Sequence, residues 1–96
     1  MLVEIKALNI DNQGYKRVIS LNTMYINSDS VVSIVDYEGV NSFLLREQSR
    51  YSGERFSLIK INEGGRVQDI IAFGPANEIF SCFNSSKKGK QLLNDW

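Results

Sequence analysis

Histidine is absent from the 96 residues and cysteine occurs once, at Cys82. Without histidine there is no Ser-His-Asp or Cys-His nucleophile, no facial-triad iron site and no Cys2His2 zinc finger. A lone thiol forms no intrachain disulfide, and such sparing use of cysteine fits a reducing compartment. An excess of charge is lacking as well. Eleven Lys and Arg stand against eleven Asp and Glu, for a formal net charge of zero, so no overall field draws the chain to nucleic acid or anionic lipid. No apolar run approaches the roughly 20 residues that span a bilayer. Glu4 and Lys6 fall where a secretory signal needs an unbroken apolar stretch. The expected setting is the cytoplasm, with no membrane partner.

What is present is the composition of one foldable domain, 43% hydrophobic and 23% charged. From Leu2 to Leu8 apolar Val3, Ile5 and Ala7 alternate with Glu4 and Lys6, the period of a half-buried strand. Asn9 to Gly14 reads as a turn, and Lys16 to Leu21 as the returning strand of a hairpin. Met24-Tyr25-Ile26 is a short extended piece closed by the turn residues Asn27 to Ser30. Val31 to Tyr37 is β-branched enough to be a central strand, which Gly39 breaks. Ser42 to Glu47 is expected as a further strand, and the polar run from Gln48 to Glu54 as a loop. Arg55 to Ile61 and Val67 to Phe73 flank Glu63-Gly64-Gly65, whose paired glycines supply the positive φ of a tight hairpin.

The period changes after Gly74-Pro75. Ala76, Ile79, Phe80 and Phe83 recur at i, i+3, i+4 and i+7, which predicts a short helix ending near Asn84. The expected fold is mainly β within the α+β class. About six strands would form a small antiparallel sheet or a partly open barrel, with one short C-terminal helix. Residues 1–84 are expected to be the β-rich domain and 85–96 a basic, partly flexible tail.

Three stretches carry a resemblance: Tyr25 to Ile34, Phe56 to Gly65 and Ile70 to Ile79. An asparagine before a strand, a glycine hairpin, and then a helix containing Glu78-Ile79 are similar to the small FlbD-like proteins of bacteria and phages. The chain departs from that pattern by inserting Asp36 to Glu54 and by its basic tail. The resemblance implies a non-enzymatic β domain. Nine asparagines with many isoleucines and serines match the composition of AT-rich genomes, many phages among them.

Arg46, Arg50 and Arg55 lie close in sequence to Tyr51, and arginine beside an aromatic is equipment for gripping a phosphate and stacking a base. Glu47 and Glu54 interleave with them and give the competing reading of solvated surface pairs. Leu92, Leu93 and Trp96, beyond the lysines at 87, 88 and 90, are expected either to pack back on the sheet or to dock on another chain. The carboxylates show no calcium-loop spacing, Gly64-Gly65 is not a phosphate loop, and Cys82 reads as a small buried apolar group. No catalytic residue, metal or cofactor is expected.

These readings favour a phage or mobile-element binding module that inhibits a host defence or regulatory system. It would act by occupying a host protein or by sequestering a nucleotide-type ligand, as a homo-oligomer within the host cytoplasm. A nucleic-acid-binding regulator using the arginine and tyrosine patch, or a structural component of a virion, are the alternatives.

Overall fold

The computed structural model describes residues 1–84. These form five strands: β1 (Leu2–Gln13), β2 (Lys16–Asn27), β3 (Val31–Tyr37), β4 (Phe56–Glu63) and β5 (Arg66–Phe73). A 3-10 turn, Ser28–Ser30, separates β2 from β3. A short helix, α1 (Asn41–Arg46), follows β3, and residues 76–84 form a second helix, α2. The strands make one antiparallel sheet in the order β2-β1-β5-β4-β3, which leaves β2 and β3 as its edges. The sheet is open.

Each hairpin is set by its turn. Glu63 pairs with Arg66 across Gly64 and Gly65, whose φ angles are 58° and 80°. Two consecutive positive φ values define the turn whose twist matches the flanking strands, and glycine adopts them without steric cost. β1 and β2 pair in unbroken register from Leu2 opposite Asn27 to Gln13 opposite Lys16. Their turn is thus only Gly14 and Tyr15, narrower than the Asn9 to Gly14 span read from the sequence. Met24-Tyr25-Ile26 belongs to β2, because Asn22 and Thr23 stay in the ladder opposite Ala7 and Lys6. The two halves of the sheet join at Ala7 opposite Ala72.

Both faces carry a core, as alternation along each strand requires. On one face Val3, Ile5, Ile26, Ile59, Ile61 and Ala72 pack with Ile79 and Phe83 of α2. On the other, Phe56 packs with Val40 and Leu44, and with half-buried Leu8, Ile19, Leu21, Ile71 and Phe73. Asp36 fixes the start of α2: its Oδ1 accepts the Ala76 amide at 2.8 Å, one of the amides a helix leaves unpaired at its start. At the β5 exit the Ser57 hydroxyl donates to the Gly74 carbonyl at 2.5 Å in a fully buried site.

Ser42 to Glu47 is not a strand. A strand would put Phe43 and Leu45 on one face and Leu44 on the other. Instead Phe43 packs against the cluster of Val40, Leu44 and Phe56 while Leu45 is 68% exposed, and the Leu44 amide donates to the Val40 carbonyl at 2.9 Å. Val40 and Leu44 at i and i+4 cover Phe56, and this packing decides the matter for a segment whose leucines also favour helix. Five strands therefore stand where about six were expected, and a second helix is added. In α2, Phe80 and Cys82 flank the inward Ile79 and Phe83 stripe by about 80° on either side. Both are exposed, so Cys82 is not the buried group the sequence suggested. Lys87, Lys88, Lys90, Leu92, Leu93 and Trp96 lie outside the described residues.

Candidate functional site

The insertion between β3 and β4 builds one end of the molecule. Helix α1 closes with Gln48 in the left-handed region at φ 52°. The Gln48 amide donates to the Leu45 carbonyl at 3.1 Å, and the Ser49 amide to the Leu44 carbonyl at 3.0 Å. This pair of bonds is the Schellman motif, in which the chain turns sharply away from the helix. Ser49 then accepts the Tyr51 amide on its hydroxyl at 3.1 Å, and the Tyr51 carbonyl accepts the Glu54 amide at 3.1 Å. The loop is thereby folded on itself before β4 begins.

Tyr51 is anchored rather than offered. Its ring meets Phe73 edge-on at 6.4 Å between centroids, and Phe73 meets Phe56 in the same way at 5.8 Å. The Arg50 guanidinium sits 5.0 Å above the Tyr51 ring, and its Nη2 donates to the phenol oxygen at 2.8 Å. The Arg55 guanidinium lies 3.8 Å from Asp36 Oδ2, on the same carboxylate that caps α2. Arg46 is exposed on the last turn of α1. A further cation enters that the sequence reading passed over: Arg17 of β2 pairs with Glu47 at 2.6 Å and lies 5.5 Å over the Phe43 ring. These contacts tie the end of α1 to the long hairpin.

A cleft of about 370 Å³ opens between α1, the loop and the ends of β3 and β4. Tyr37, Leu45 and Phe56 give it apolar walls, and Asp36, Glu38, Glu54 and Arg55 its charges. The Tyr37 ring reaches this wall by lying across Gly39, where an added Cβ would fall 2.5 Å from the ring. A neighbouring cleft of about 280 Å³ shares Gly53, Glu54 and Arg55 and adds Phe73, Pro75 and Glu78. Of the four residues read from the sequence as a ligand site, Arg55 alone lines these clefts. Arg46, Arg50 and Tyr51 stand outside them. Four carboxylates, Asp36, Glu38, Glu54 and Glu78, therefore surround one guanidinium that already faces Asp36. Such a surface repels a phosphate and suits a cationic group.

Asp36 and Glu38 were weighed in the sequence only as metal ligands, and Glu54 only as a surface partner of the arginines. Among the described residues no group of three His, Cys, Asp or Glu is placed to hold a metal ion. No described helix is long and apolar enough to cross a membrane. Comparison with protein-family models, with curated proteins and with solved structures finds no match to this chain.

Proposed function

We propose that this chain is a non-enzymatic binding module that engages a partner protein through the cleft end of the molecule. The occupant would be a basic segment of that partner. The observation that carries this reading is the pairing of apolar walls, Tyr37, Leu45 and Phe56, with a charge set in which carboxylates outnumber guanidinium. A lysine or arginine side chain of the partner would place its aliphatic stem along the walls and its head group among the carboxylates. Inhibition of a host defence or regulatory protein is the role such a surface would serve in a phage-encoded chain, a source supported by composition alone.

A nucleotide-type ligand is the second reading, supported by the Arg50 guanidinium stacked on Tyr51. Titration of the isotope-labelled chain separates the two, with a short lysine- and arginine-containing peptide in one series and a nucleoside triphosphate in the other. The proposal expects peptide-induced amide shifts at Leu45, Gly53 and Glu54 that Glu38→Lys with Glu54→Lys abolishes. Shifts confined to Arg50, Tyr51 and Arg55, seen with the nucleotide and absent with the peptide, would overturn it. Both glutamates are exposed, so the double variant leaves the core untouched.

A further inference from the structure

The cleft end already holds a guanidinium, and it belongs to the chain itself. Arg55 stands just before β4, and its backbone is held there because its carbonyl accepts the Gly74 amide at 2.8 Å. The side chain is held far less. Its Nη2 lies 3.8 Å from Asp36 Oδ2, a loose contact in which 70% of the Arg55 side chain and 58% of the Asp36 side chain are exposed. Ion pairs this open to water shift an equilibrium by about fivefold at most. The contact is one that a competing cation can replace.

Asp36 can change partner without giving up its structural task. Its Oδ1 accepts the Ala76 amide at 2.8 Å and keeps the start of α2, while Oδ2 is left to the guanidinium. Arg55 has a second place as well. It lines both clefts, and the smaller one sets Glu78 beside Glu54. A guanidinium that leaves Asp36 from a held backbone therefore still borders carboxylates, which lowers the cost of its departure.

We propose that Arg55 is a built-in stand-in for an arginine of the partner, and that the partner's guanidinium displaces it from Asp36; this rests on the reading of the cleft as the seat of a basic segment. Two features select arginine over lysine. The Tyr37 ring forms part of the wall, and a planar guanidinium stacks on an aromatic face. Asp36, Glu38 and Glu54 share the cleft, and a guanidinium has five donors to divide among them where an ammonium has three. While Arg55 sits on Asp36 the incoming group is kept out. Only molecules with Arg55 turned away bind, and the apparent affinity is lowered by that fraction. A pair of this exposure holds binding back about two- to fivefold.

Amide-shift titrations of the isotope-labelled full chain test this, with an end-blocked peptide carrying one arginine and no other charge, and with its lysine counterpart. Arg55→Gln should bind the arginine peptide about two- to fivefold tighter than the unsubstituted chain does. Arg46→Gln removes the same charge from outside the clefts and should leave the affinity unchanged. The Ala76 amide should shift on binding, because the carboxylate that holds it exchanges one cation for another. The arginine peptide should bind tighter than the lysine peptide. Equal affinity of the Arg55→Gln and unsubstituted chains, tightening of the same size by Arg46→Gln, or a lysine peptide that binds as well as the arginine one overturns the proposal and leaves the cleft as a seat for basic segments. Absence of any shift at Leu45, Gly53 and Glu54, with either peptide and in every chain, overturns that reading of the cleft and the proposal with it.

Discussion

Leu44→Ala tests the one element that the structure reassigns. Leu44 is 1% exposed and is the buried residue of α1, packed with Val40 against Phe56. Six residues do not hold a helix in water without tertiary packing, so α1 exists through this side chain. Truncating a buried leucine costs about 2–5 kcal/mol, and a site of this depth, fenced by Phe56 and Val40, belongs near 3 kcal/mol. A chain of this size has a stability of roughly 5–14 kcal/mol. With a urea slope of about 1.5–2 kcal/mol/M, the midpoint should fall by roughly 1.5–2 M. Leu45→Ala is the control. Leu45 is 68% exposed on the same helix, and its truncation should move stability by no more than about 0.5 kcal/mol. Urea unfolding followed by circular dichroism measures both. If Leu44→Ala costs no more than Leu45→Ala, Leu44 does not hold α1 against Phe56 and this account of the segment fails.

Two further substitutions probe the supports of the cleft end. Gln48→Gly should raise stability by up to about 1 kcal/mol, because glycine adopts the φ of 52° without the left-handed penalty that a side chain incurs. A melting temperature higher by a few degrees is the expected result, and a lower one would show that the Gln48 side chain contributes more than its backbone costs. Ser57→Ala should destabilise by about 1–3 kcal/mol, since the Gly74 carbonyl loses its buried donor at 2.5 Å. An unchanged urea midpoint would mean that this carbonyl finds another partner.

The elements legible in the sequence are those specified by near neighbours. Gly64-Gly65 names its own turn, Pro75 followed by the spacing of Ile79 and Phe83 names α2, and Val3 and Ile5 name the inward face of β1. What was not legible depends on residues distant in the chain. Leu44 chooses a helix because Phe56 lies beneath it. Tyr51 turns from a presumed ligand platform into a wall because Phe73 receives its edge. Arg55, just before β4, is drawn toward Asp36 on the neighbouring strand β3, while Arg50 folds onto its neighbour. Closeness in sequence grouped the arginines. In the fold Arg55 alone of them lines the clefts, among the carboxylates of Asp36, Glu38, Glu54 and Glu78.

The long β1-β2 ribbon implies a graded response to amide hydrogen exchange. Around Ile5 and Ile26 the ladder is buried beneath α2, and those amides reach solvent only when the whole domain unfolds. Beyond the Ala7–Ala72 junction the ribbon carries exposed Ile10 and Val18 and ends in fully exposed Tyr15. A two-stranded ribbon has little stability of its own, so its far amides exchange by a local opening that leaves the rest of the sheet intact. Protection should therefore decline along a single strand, from Ile5 toward Gln13. That gradient makes the Gly14–Tyr15 tip the natural point for attaching a label or an inserted tag.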